Sequence, residues 1–177
     1  VEVIMALQLH LHRWERREPD WSAAAVSGFA AGAVLMVLEL LWASVMSSTG
    51  QWRISQLVAA FVLGPDTLHL PSDGFSLPVV AVALATHYAI GVAFGIVLGI
   101  LSAGFHYDTE PAVLAVVGLV FGALLYVFGF YGTTRVFYWL AELRGWPTLV
   151  AHLIFGVTAS LLYWKLARRR NGPARST

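Results

Sequence analysis

Four apolar blocks, each long enough to cross a lipid bilayer, leave this chain one solvent in which to fold. A spanning helix needs about 20 mostly apolar residues to cross a hydrocarbon core about 30 Å thick. The blocks run from Ser22 to Met46, Leu77 to Ala103, Pro111 to Tyr131 and Pro147 to Leu166. Of the 177 residues, 58% are hydrophobic and 12% charged, against about 25% charged in a soluble domain. A soluble enzyme and a disordered chain are thereby excluded. The lack of cysteine excludes a disulfide scaffold. A formal net charge of +1 offers no footprint for nucleic acid. The expected fold is an all-α membrane protein of four transmembrane helices.

Flanking chemistry refines the expectation. Pro111 and Pro147 stand at helix starts, where a missing N–H costs nothing. Arg53 to Gly64 is apolar but too short to span and reads as an interfacial or re-entrant helix, as does Val136 to Leu143. Residues 1–21 read as an N-terminal surface segment, 22–166 as the membrane domain, and 167–177 as a basic tail; the first span, with its long apolar run behind about twenty mixed polar residues, does not read as a secretory signal. Arg13, Arg16 and Arg17 precede the first span, and Lys165, Arg168, Arg169, Arg170 and Arg175 attend the end of the fourth. An even number of spans puts these eight of the eleven cations on one side, which predicts cytoplasmic termini. His106 to Glu110 then reads as a solvated cytoplasmic turn.

The two halves of the chain repeat one another. Gly28 and Gly32 sit in a stretch matching that of Gly118 and Gly122, and Thr86 to Val92 matches Ala151 to Val157. Arg53 precedes Pro65 by twelve residues, and Arg135 precedes Pro147 by twelve. A tandem two-helix repeat inserts both units the same way up. Within it, His87, Gly91, Gly95, Gly99 and Ala103 form one stripe at four-residue spacing, and His152, Gly156 and Ser160 another. Small residues at this spacing bring helix backbones close together in lipid, so both imidazoles are expected to point into the bundle.

Glu39, His87 and His152 are the ionisable side chains well inside the expected spans. A charge at such depth is costly and normally has a partner. Arg53 and Arg135, just beyond the outer ends, are placed to reach down to Glu39, whose mate in the other repeat is Gly129. Four uses of this cluster are open. The histidines would ligate a b-type haem, join Glu39 in holding a metal or relaying protons, or line a path for an ion or solute. Alternatively each bonds a backbone carbonyl and fixes helix register.

From Phe130-Tyr131-Gly132 through Arg135 to Pro147, and on through Ala151-His152-Leu153-Ile154-Phe155-Gly156, the chain resembles a group of small bacterial four-helix membrane proteins. These usually carry the label "sodium:proline symporter". Val62-Leu63-Gly64-Pro65 and the helix from His87 to Gly95 are similar to the same group, so the likeness covers most of residues 25–168. The resemblance implies a bacterial inner-membrane protein and brings no site residues with it. The symporter label does not transfer, because ten-helix inverted repeats with unwound helices cannot be built from four spans. The expected role is a non-catalytic accessory subunit of a larger inner-membrane assembly, of respiratory type, with lipid and other membrane subunits as partners. The alternative is a small ion- or proton-coupled transporter using the Glu39 cluster.

Overall fold

The computed structural model describes residues 18–46, 50, 52–72, 74–104 and 111–171. The expected N-terminal segment, apart from its last residues, the His106 to Glu110 turn and Arg175 lie outside the described residues. The long helices are α1 (Trp21–Met46), α3 (Leu77–Gly104), α4 (Pro111–Val127) and α5 (Trp146–Asn171), with the short helix α2 (Arg53–Leu63) in the connection between α1 and α3. Four stretches, Trp21–Val45, Leu77–Gly104, Pro111–Arg135 and Trp146–Arg169, are long and apolar enough to cross a membrane. At most 33% of each span's apolar window is buried inside the protein. Water would not tolerate so much contiguous apolar surface, whereas lipid covers it. The chain is a multi-pass, all-α membrane protein.

Local chemistry explains the element ends. Asp20 caps α1: its Oδ1 accepts from the Ala23 N–H at 2.9 Å and the Ser22 hydroxyl at 2.7 Å. Gly64, at φ 87°, ends α2 in a conformation that L side chains resist, and Pro65 opens the 3₁₀ turn Pro65–His69 behind it. Two boundaries differ from expectation. The third span leaves α geometry after Val127, widening through a π turn at Phe128–Gly132 and then tightening into 3₁₀ turns at Thr133–Arg135 and Tyr138–Leu143. The fourth runs past Leu166 to Asn171, so Arg168 and Arg169 are helical rather than part of a separate tail. Cations suit a helix C-terminus, and the Arg168 guanidinium lies 5.0 Å from the Trp164 ring.

Glycine sets the packing. A Cβ on Gly28 would collide with Gly91 O and come within 2.8 Å of Gly95 Cα. One on Gly118 would collide with Gly156 O and the Ser160 hydroxyl. Gly28 thus stands to Gly91 and Gly95 as Gly118 stands to Gly156 and Ser160, and the sequence repeat recurs as a repeat of helix contacts. Gly32 and Gly122 extend each interface, the former against Gly91 and the His87 ring and the latter against the His152 backbone. Gly99 meets Ala24 and the Tyr163 ring. Between the pairs, α1 packs on α5, and Ala31, Leu35, Leu98, Phe121, Ala151, Phe155 and Ala159 form the central core.

Backbone has nowhere to move at these contacts, so Gly28→Val and Gly118→Val should each cost at least the ~1–3 kcal/mol typical of overpacking. Gly129→Ala, whose Cβ meets nothing within 4 Å, should change little. Denaturation midpoints in mixed micelles measure the contrast. Equal losses at all three positions would contradict the packing.

Candidate functional site

At the end of the bundle that carries α2, two repeat-equivalent short segments fold over the helices. The Trp139 indole N–H donates to Leu57 O at 3.1 Å, and Phe61 and Phe137 pack with ring centroids 4.8 Å apart. Leu57, Ala60, Tyr126, Phe130, Trp139 and Leu140 make this cap a small core of its own. The Arg53 fork fastens it: Nη2 and Nε donate to the two Glu142 oxygens at 2.7 and 3.0 Å, and Nη1 to Leu68 O at 2.8 Å. Gln56, buried in α2, donates a hydrogen bond from its side-chain Nε2 to Pro71 O at 2.9 Å.

Beneath the cap lies a cavity of about 250 Å³ lined by Glu39, His87 and His152. Three of the five polar residues expected to cluster are therefore brought together. The wall is otherwise apolar, with Phe61, Phe94, Phe128, Phe130, Phe137 and Phe155 dominant, and Thr133 is the remaining polar side chain. The π turn supplies much of this wall. The wider winding, of a kind frequent at functional sites, brings Phe128, Gly129 and Phe130 onto the cavity together, and Thr133 donates its hydroxyl to Gly129 O.

The arginines depart from expectation. Arg53 is committed to Glu142 and Leu68 rather than to Glu39, and Arg135 is exposed and does not line this cavity. Glu142 lies closer to Arg53 because both belong to the cap, whereas Glu39 sits lower, within α1. A second space of about 580 Å³ is lined by Arg53, Glu142, Arg144 and Trp146, and it shares Glu39 and Leu143 with the first. Glu39 thus stands where the two spaces meet. Among the described residues no hydrogen bond or ion pair reaches its carboxylate.

Sequence reasoning missed Glu142 and Arg144. Arg144 donates to Phe130 O at 2.6 Å and to the Thr134 hydroxyl at 2.9 Å, and lies 4.5 Å from the Tyr131 ring centre. It holds the end of the unwound span in place. The available signal was an acid and a base flanking Leu143 in an otherwise apolar, aromatic stretch.

Both histidines bond backbone carbonyls. His87 Nε2 donates to Gly32 O at 2.9 Å, linking α3 to α1, and His152 Nδ1 donates to Thr148 O at 2.8 Å within α5. A carbonyl only accepts, so the bonded nitrogen carries the proton and each neutral ring keeps its other nitrogen as an acceptor. The His152 ring also meets Phe130 edge-on, with centroids 5.2 Å apart. His152 has the arrangement common among metal ligands, with Nδ1–H on a carbonyl and Nε2 free. In His87 the Nε2 is taken, so the two rings do not form a matched haem-ligand pair. Among the described residues no group of three or more His, Cys, Asp or Glu side chains is placed to hold a metal ion, so Glu39, His87 and His152 share the cavity lining without forming a metal-ligand set.

The cross-helix bond is the more consequential. His87→Phe, which keeps a ring but removes the donor, should lower stability by about 1 kcal/mol, and His152→Phe by less, because its bond stays within one helix. Denaturation in the same micelles tests the order, and a larger loss at His152 would reverse it. No protein family matches the chain, nor does any curated protein or solved structure.

Proposed function

We propose that this protein binds a small, mostly apolar molecule with one polar head in the cavity beneath the cap. The observation that carries the proposal is the meeting of Glu39, His87 and His152 in a space otherwise walled by phenylalanine. Apolar pockets with a few convergent polar groups are the usual form of small-molecule sites. Each histidine is held by its carbonyl bond, which fixes the polar points before a ligand arrives.

An accessory role in a larger, respiratory-type assembly would use the outer helix faces instead. Helix α4 leans chiefly on α5 and leaves Val113, Val116, Val120, Leu124 and Val127 exposed. Acyl chains cover such a stripe as well as a partner helix would. A walled cavity with an unpartnered carboxylate has no equivalent explanation in packing, and binding is therefore the better-supported role.

Gly129 gives a direct test, since it lines the cavity and its Cβ would project into open space. Gly129→Leu should fold as the wild type does but occupy the site. In nanodiscs of matched lipid, 4-fluorotoluene should show ¹⁹F line broadening with wild type that is lost with Gly129→Leu. Equal broadening by both proteins would end the proposal.

We further propose a bacterial inner-membrane location with cytoplasmic termini, supported by Lys165, Arg168 and Arg169 at the α5 end remote from the cap. The chain has no cysteine, so single substitutions report topology without background. Asp66→Cys in the cap-side turn should react with a membrane-impermeant maleimide in intact cells, and Glu18→Cys only after permeabilisation. The opposite pattern would invert the orientation.

A further inference from the structure

We infer that the cavity's ligand is a hydrophobic ammonium ion, an amine carrying a positive charge and N–H donors on an apolar or aromatic body. The inference rests on the binding role proposed above and adds the chemistry of the head group. Four polar side chains line the cavity, and each offers acceptors. Glu39, when ionised, is an acceptor only. In their neutral form the His87 and His152 rings each commit their N–H to a backbone carbonyl, leaving a bare nitrogen. Thr133 has committed its hydroxyl proton to Gly129 O and retains lone pairs. With Glu39 ionised and both rings neutral, a ketone, an ester or an anion would find no side-chain donor here, whereas an ammonium group brings donors and charge together.

The neighbouring cations strengthen the case. Arg53 and Arg144 line the adjoining space with Glu39, yet Arg53 is held by Glu142 and Leu68 O, and Arg144 by Phe130 O and Thr134. Arg135 lines neither space. The protein thus places no cation of its own on Glu39 among the described residues, although unpaired charge in an apolar interior is costly. An incoming ammonium ion supplies the missing partner, and the phenylalanine wall favours it further through cation–π attraction. The second space, which meets the first at Glu39, provides an approach.

Three probes of matched body separate the contributions: protonated 2-phenylethylamine, its N,N,N-trimethyl counterpart, and neutral propylbenzene. Each is titrated at neutral pH against the full chain in phosphatidylcholine nanodiscs. The primary ammonium should bind about ten-fold tighter than propylbenzene, with the trimethyl compound between them because it has charge but no donors. Glu39→Gln should erase the advantage while propylbenzene binding persists, and Gly129→Leu should abolish binding of all three. If propylbenzene equals or exceeds the ammonium in wild type, or the ammonium advantage survives Glu39→Gln, the ammonium inference is overturned while the cavity stands. If the trimethyl compound matches the primary ammonium, the donor requirement is overturned. If none of the three binds, or Gly129→Leu changes nothing, the binding role falls and the inference with it.

Discussion

At Gly28 and at Gly118 the backbones of paired helices approach so closely that one added methyl would strike a carbonyl oxygen on the facing helix. In lipid there is no hydrophobic drive to hold helices together, and close van der Waals contact takes its place. These two contacts therefore fix α1 on α3 and α4 on α5, and the central core forms where α1 meets α5. Glu39 lies eleven residues beyond Gly28 on α1, and Gly129 eleven beyond Gly118 on the third span. Both positions line the space under the cap. The tight contacts and the cavity are thus two levels of one helix arrangement.

Duplication gives a scaffold, and departure from duplication gives a site. The glycine contacts of the two halves correspond, and both halves place a histidine four residues before the contact glycine. The symmetry then breaks at three places on the cavity. Glu39 faces a space where its counterpart Gly129 has no side chain. His87 reaches across to Gly32 while His152 turns back to Thr148. The α2 helix of the first half corresponds to turns in the second, where the span unwinds through π geometry. A symmetric cavity would present each polar group twice; this one presents a single carboxylate between two imidazoles of different orientation.

Much of this was legible in the residues. Hydropathy alone located all four spans, and the four-residue spacing of small residues marked the interfaces that the glycines make. The placing of His87 and His152 toward protein followed from their sharing those stripes. What failed was the pairing of charges. A span's length says how deep Glu39 lies, but not that a cap folded from two distant segments would hold Arg53 against Glu142, 89 residues away. The π turn was equally invisible, because Phe128 to Gly132 continues the apolar pattern of the helix before it. Periodicity records which face is apolar, not where a helix changes its winding. The carbonyl bonds of the histidines stood among the alternatives, yet these bonds leave each ring an acceptor rather than removing it from the site.

A lone acidic side chain at membrane depth calls for compensation. Translocon-based scales put an aspartate at a helix centre at about 2.5–3.5 kcal/mol, a large fraction of the roughly 5–15 kcal/mol that holds a domain together. Three arginines lie at the same end of the molecule, and a guanidinium on Glu39 would offset part of that penalty. Instead Arg53 ties the two cap segments together and Arg144 secures the end of the unwound span. Glu142, at 45% side-chain exposure, sits nearer solvent and needs a partner less than Glu39 does. The charges are thus allotted to holding the cap over the cavity, and the carboxylate in greatest need of a counterion is left facing the space. Packing alone gives no reason for that allocation, whereas it suits the proposed site, which takes its cation from outside.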